Sequence, residues 1–205
     1  MTQRPDVRRR HQDRREATRR RILDVARQLL EERPWRDLTI EDLARGADLT
    51  RTAFYRHFAD LEQLLLALLD ELGAELDLAA DPWEVAEGQH PSEQLRPALE
   101  SLTQLFVVHG RLLRALGDAA SQHDEVARRY AALGAGFSRS AAARIAQDVA
   151  AGRSRVTAPD DVATALVWMN ERYLLDLFGR PPLGDPERAV RTLTEVWRRT
   201  VYGRD

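Results

Sequence analysis

The stretch Leu49–Phe58 reads LTRTAFYRHF and sets hydrogen-bond donors at helical spacing. Arg51 and Tyr55 are four residues apart, with Thr52 and Arg56 beside them, and each residue advances about 100° around a helix. Phe54 and Phe58 form a second pair at the same spacing, so they share another face. Leu49 before them and Leu61 after them extend that apolar side. One side of such a helix is core, and the other offers guanidinium and hydroxyl donors. Donors of this kind on a short helix suit the DNA major groove, where phosphate contacts position a protein and base-edge contacts specify sequence.

The residues before this stretch fit a helix-turn-helix. Ala44 is small where two helices would cross closely, and Asp48 stands where the turn needs a left-handed residue, a conformation aspartate tolerates. Short helix pairs also occur in ordinary bundles, so the pattern alone leaves a packing role open. Catalytic chemistry is far less well supplied. His11, His57, His90, His109 and His123 are scattered, with no H-E-x-x-H or paired metal spacing. Gly134-Ala-Gly136-Phe-Ser138 resembles a nucleophile elbow only superficially. It lacks a preceding strand and a final glycine, and small residues at a helix contact explain it better. We expect no catalytic residue, no metal, no cofactor and no enzyme activity. A helical small-molecule carrier without DNA binding is the remaining alternative, and it leaves Arg51, Thr52 and Tyr55 unexplained.

The elements that must hold these donors are helical throughout. Apolar residues recur at helical spacing almost everywhere, and alternating strand-like runs are absent. Ile22, Val25, Ala26, Leu29 and Leu30 predict an amphipathic helix over 16–32, ended near Pro34. Thr39-Ile-Glu-Asp42 starts a second helix to about Gly46. Thr50 caps a third to about Phe58, and a leucine-rich fourth runs over 61–77. Residues 79–91, with two prolines and a glycine, read as a loop. Further helices are expected over 92–108, 110–120, 123–151, 159–179 and 185–202, the last two opened by proline beside aspartate. The fold class is all-α, with about nine helices: a three-helix head over 16–60 and a bundle over 61–205. Residues 1–15 are expected to be a disordered, arginine-rich arm.

Charge divides along the same line. All 31 basic residues are arginine, against 33 acids. Residues 1–56 hold 15 Arg and 10 acids, whereas residues 57–205 hold 16 Arg and 23 acids. A basic head on an acidic body suits a polyanionic partner for the head alone. With no cysteine there is no disulfide frame. No run approaches the roughly 18 apolar residues of a membrane span, and the arginine-rich start lacks an apolar signal segment. These features lead us to expect a cytoplasmic protein with no membrane partner.

Ala17–Glu71 (ATRRRILDVARQLLEERPWRDLTIEDLARGADLTRTAFYRHFADLEQLLLALLDE) resembles the DNA-binding head of the TetR family of transcriptional regulators. The resemblance rests on the first amphipathic helix, the TIEDLA element, the TRTAFYRHF recognition helix and the leucine-rich helix that follows. It implies that Arg51 and Thr52 face base edges, with Ala53 close to the groove floor. Tyr55 and His57 would bond phosphates, and Thr39 would add a phosphate contact at the start of the second helix. Thr39 and Thr50 are helix caps under any function, and His57 is equally a solvated turn residue. The family's usual lysine near the start of the fourth helix is replaced here by Ala59-Asp-Leu-Glu62. Helix N-terminal amides, or Arg8, Arg9, Arg10, Arg14 and Arg15 of the arm, would have to anchor that end.

Apolar residues nearly encircle the helix over 159–179. Val162, Leu166, Met169, Tyr173 and Leu177 form one stripe, and Ala165, Trp168, Leu175 and Phe178 lie off it. A helix apolar on two sides must be covered on two sides. A second copy of the chain is the simplest cover, giving a homodimer through 159–179 and 185–202. Two heads then call for a roughly palindromic operator in double-stranded DNA. The C-terminal half also resembles the ethionamide-resistance-type repressor branch, through Val126-Ala-Arg-Arg-Tyr130, Met169-Asn-Glu-Arg172 and Glu195–Gly203. That resemblance implies a tunnel for a small, mostly apolar effector, lined by Leu95, Leu102, Phe106, Tyr130, Phe137, Asn170, Leu174 and Trp197. Its implied function is a ligand-responsive repressor released from DNA by the effector. Plain core packing is the alternative for each aromatic.

Overall fold

Helix α1 buries Ile22, Leu23, Ala26 and Leu30, one stripe at the 3.6-residue period that its sequence carries. The computed structural model, which describes residues 5–79 and 91–203, makes α1 a helix from Pro5 to Glu32. Residues 5–15, expected as a disordered arm, are therefore helical. Arginine, glutamine and glutamate are good helix formers, and Gln12 donates to Glu16 one turn on at 3.2 Å. A 3₁₀ turn at Trp35–Asp37 follows, then α2 (Ile40–Gly46) and α3 (Arg51–Phe54). Gly46 is required by packing: a β-carbon there would stand 2.6 Å from Val25 Cγ1 of α1.

Asp48 holds the turn between α2 and α3 with φ of 53°, the left-handed conformation expected of it. Ala44 is buried, and its carbonyl accepts from Leu49 N–H at 2.8 Å. The third helix is shorter than its sequence suggests. Regular α-helix ends at Phe54, and tighter turns continue to His57, whose N–H bonds the Phe54 carbonyl at 2.8 Å. Helix α4 (Leu61–Ala79) buries Leu64, Leu65, Leu68, Leu69 and Leu72, joining head and body in one core cluster.

The body comprises α5 (Pro91–Ala120), α6 (Asp124–Ala150), α7 (Pro159–Phe178) and α8 (Pro186–Val201). The expected break between 108 and 110 does not occur. Gly110 lies within a single helix because α5 crosses α7 there. A β-carbon on it would be 2.8 Å from the Phe178 carbonyl oxygen. The described residues thus form eight α-helices in place of about nine, without a strand. The loop expected over 79–91 falls largely outside the described residues. Among those described, no helix is long and apolar enough to cross a membrane.

One charged group is sealed into the body. Asp148, fully buried near the end of α6, accepts from Arg153 Nη2 at 2.7 Å, Arg144 Nε at 3.4 Å and Tyr202 Oη at 2.7 Å. Burial, and then the neighbouring carboxylate, push the Tyr202 phenol above its ordinary range. Ser154 Oγ donates to the Val201 carbonyl at 2.5 Å. Together these contacts tie the end of α6 to the end of α8.

Candidate functional site

In the head, Phe54 and Phe58 are wholly buried with ring centroids 5.8 Å apart, in the core cluster that also holds Ile22 of α1 and Leu43 of α2. Arg51 and Thr52 are exposed, Ala53 is half-buried and the Tyr55 ring is 44% exposed. These four lie on the outward side of α3. Thr50 acts as N-cap, its hydroxyl accepting from Ala53 N–H at 3.1 Å. Arg51 Nη2 donates to Tyr55 Oη at 3.3 Å, so the guanidinium and the phenol stand together.

Thr39 caps α2 by accepting from Asp42 N–H at 3.2 Å. Its own hydroxyl donates to Asp42 Oδ2 at 2.6 Å. The Thr39 hydroxyl, Arg33 and Arg45 hold the Asp42 carboxyl below its usual range. A phosphate at Thr39 would have to take that hydroxyl proton from Asp42.

His57 is half-buried, and its Nδ1 is enclosed without a hydrogen-bond partner. Burial lowers its pKa, and the charges of Arg15, Arg19 and Arg56 lower it further. Arg19 reaches from α1 to this point. Its Nη1 donates to the His57 carbonyl at 3.1 Å, and its guanidinium carbon sits 4.1 Å from the centre of the Phe58 ring. The start of α4 is less open than expected. Gln63 N–H bonds Asp60 Oδ1 at 2.8 Å, and Gln63 Oε1 accepts from Ala59 N–H at 2.7 Å. Asp60 thus caps α4 and places a carboxylate where a phosphate was expected, while Gln63 bonds back to the residue before the cap. The basic groups near this end are Arg15 and Arg19 of α1, with Arg56.

The second site lies between α5, α6, α7 and α8, around a cavity of about 200 Å³. Six residues named from the sequence line it: Leu102, Phe106, Tyr130, Phe137, Asn170 and Trp197. Leu95 and Leu174 do not, being packed into the surrounding core. Trp197 Nε1 donates to Asn170 Oδ1 at 3.0 Å. The indole N–H can only donate, so that bond fixes which end of the amide faces Trp197.

Further lining residues carry no signal in the sequence alone, among them Leu99, Ser101, Leu133, Ser140 and Glu171. Glu171 Oε1 accepts from Tyr130 Oη at 2.8 Å. Burial first, and Glu171 second, hold the Tyr130 phenol above its ordinary range. Gly134 was expected at a helix contact, yet a β-carbon there would meet nothing within 4 Å. It lines the cavity instead, where the missing side chain leaves room.

Comparison with known proteins bears on both sites. Residues 22–68 match the family described as bacterial regulatory proteins, tetR family. Residues 95–203 match the one described as transcriptional regulator EthR, C-terminal domain. The HTH-type transcriptional regulator EthR of Mycolicibacterium smegmatis is 32% identical over 188 residues, covering 89% of this chain and 85% of the relative. That of Mycobacterium tuberculosis is 33% identical over 189 residues, covering 89% and 86%.

Solved structures share the fold at lower identity. AibR, in complex with isovaleryl coenzyme A and operator DNA, superposes with a TM-score of 0.70 at 18% identity, over 92% of this chain and 100% of that one. A regulator from Saccharomonospora viridis in complex with choline gives 0.74 at 17% identity, over the same shares.

Proposed function

Because this chain belongs to the TetR family of transcriptional regulators, with an EthR-type C-terminal domain, we propose that it is a repressor released from DNA by a small, mostly apolar effector. It acts as a homodimer on a roughly palindromic operator, in the cytoplasm. The observation that carries this reading is the division of α3. Its buried phenylalanines anchor it, while Arg51, Thr52 and Tyr55 stand together on the outside. Arg51 and Thr52 read base edges with Ala53 against the groove, and Thr50 remains the cap that starts the helix. Tyr55 and His57 bond phosphates, supported on the α1 side by Arg15 and Arg19.

The dimer is supported by α7, where Trp168 is 66% exposed on the side turned away from the buried Ala163, Leu166 and Asn170. An indole so exposed gains most from burial against a second copy, with α8 alongside. Phe178, which like Trp168 lies off the stripe through Leu166, is buried beneath α5. The effector occupies the cavity lined by Leu102, Phe106, Phe137 and Asn170 and favours a dimer whose heads are wrongly spaced for DNA. By linkage, DNA weakens effector binding by the same factor. Couplings of about 1–3 kcal/mol are typical of such systems, giving roughly 5–150-fold release.

The test is selection of binding sites from a random double-stranded DNA pool, followed by gel shift on the selected sequence. Enrichment of a motif with two-fold symmetry is expected. A pool that shows no enriched sequence would leave only the carrier reading.

A further inference from the structure

Taking the effector cavity as the premise, we infer that the effector is a lipophilic amine whose ammonium group pairs with Glu171. The cavity wall is apolar along Leu99, Leu102, Leu105, Phe106 and Leu133. The chain has 31 arginines, yet among the described residues none lines the cavity, and no histidine does. Its ionisable side chains there are Glu171 and Tyr130. Tyr130 stays a neutral phenol and donates to Glu171 Oε1 at 2.8 Å. Among the described residues Glu171 has no cationic partner. A half-buried carboxylate beside an apolar void, holding one phenolic donor and no cation, has an unmet preference for a positive charge.

The neighbouring polar pair sharpens the assignment. Asn170 Oδ1 already accepts from Trp197 Nε1, and its amide N–H groups would suit a neutral carbonyl. Glu171 alone separates a cation from a neutral molecule of the same shape. An anion would meet the carboxylate across a medium of low dielectric and be rejected. The inference therefore orders three molecules of nearly equal size: octylamine, then octanamide, then octanoate.

Calorimetric titration of the DNA-free, full-length protein tests it. Octylamine is expected to bind about ten- to a hundredfold more tightly than octanamide, the margin of a charge-assisted over a neutral hydrogen bond. Octanoate is expected to bind more weakly than both. In Glu171→Gln, which retains an oxygen for Tyr130, the octylamine-to-octanamide ratio should fall towards one. Circular dichroism of the variant checks its fold. Equal binding of octylamine and octanamide by the natural protein, or a ratio unaltered in Glu171→Gln, would overturn the amine and leave the cavity reading standing. If none of the three binds, both fail.

Discussion

Arg51 Nη2 lies 3.3 Å from Tyr55 Oη, so the donors at the two ends of one turn of α3 are in contact before DNA arrives. The contact makes the pair act as a unit. Arg51→Ala is expected to cost about 1–3 kcal/mol of DNA affinity and to relax base preference. Tyr55→Phe should weaken all sequences about equally, because it removes a phosphate donor. Gel-shift titrations on the selected operator and its single-base variants separate the two. Equal loss across sequences for Arg51→Ala would move that arginine to the phosphate class. The double variant should lose less than the sum of the singles.

His57 gives a pH dependence. Burial and three arginines depress its pKa in the free protein, so it is neutral above its ordinary value near 6.5. A phosphate would favour the charged form, and the complex would then take up a proton as pH falls. DNA affinity should accordingly rise as pH drops through the region near and below about 6.5, and His57→Asn should flatten that rise. The stability of the free protein runs the opposite way. A depressed histidine resists protonation when folded, so folding weakens as pH falls below the unfolded value. Fluorescence anisotropy across pH reads the first effect, and thermal melts read the second. An unchanged slope in the variant would remove His57 from the interface.

The helical start of α1 predicts a salt effect. Replacing Arg9, Arg14 and Arg15 by alanine should lower the slope of log affinity against log salt by about 0.9 for each phosphate that is no longer neutralised. Measuring affinity at several salt concentrations decides it. No change in slope would make this extension a solvated helix that never meets the duplex.

Asp148 is wholly buried among Arg144, Arg153 and Tyr202. Asp148→Ala would leave two guanidinium groups facing a void, a type of change that costs about 3–5 kcal/mol. Chemical denaturation should record that loss, while a loss below about 1 kcal/mol would mean the arginines turn to solvent freely.

Trp168→Glu should convert the dimer to monomer in sedimentation, because it buries a charge where an indole is expected to be covered. An unchanged dimer would place the interface elsewhere. Loss of the dimer should also lower operator affinity steeply, since one head grips only a half-site.

The head is legible in the sequence because each of its residues answers to local chemistry. Phe54, Phe58, Thr50 and Asp48 are set by spacing, capping and backbone conformation, all of which a sequence displays. Gly110 misleads for the opposite reason. A glycine marks either a break or a close approach, and only the Phe178 carbonyl across from it tells which. The charge of the arginine-rich start suggests an arm, although its residue types favour helix. In the cavity, Leu95 and Leu174 belong to helices that line it but point into the core, and a rotation of one residue decides that. Glu171 stands inside the Met169–Arg172 motif, yet only its bond to Tyr130 draws attention to it.

The unbroken course of α5 has a mechanical consequence. Beyond Pro97, residues 98–120 make a rod of about 35 Å. Residues between 98 and 113 form one wall of the cavity, and the same rod touches the 3₁₀ turn at Trp35. Just past its end, the His123 ring meets the Trp35 indole edge-on at 5.9 Å. Two helices joined near Gly110 would absorb a push from the cavity in their hinge. A single helix past Pro97, packed at Gly110 against α7, offers no such hinge, so a displaced cavity wall would carry to the base of the head.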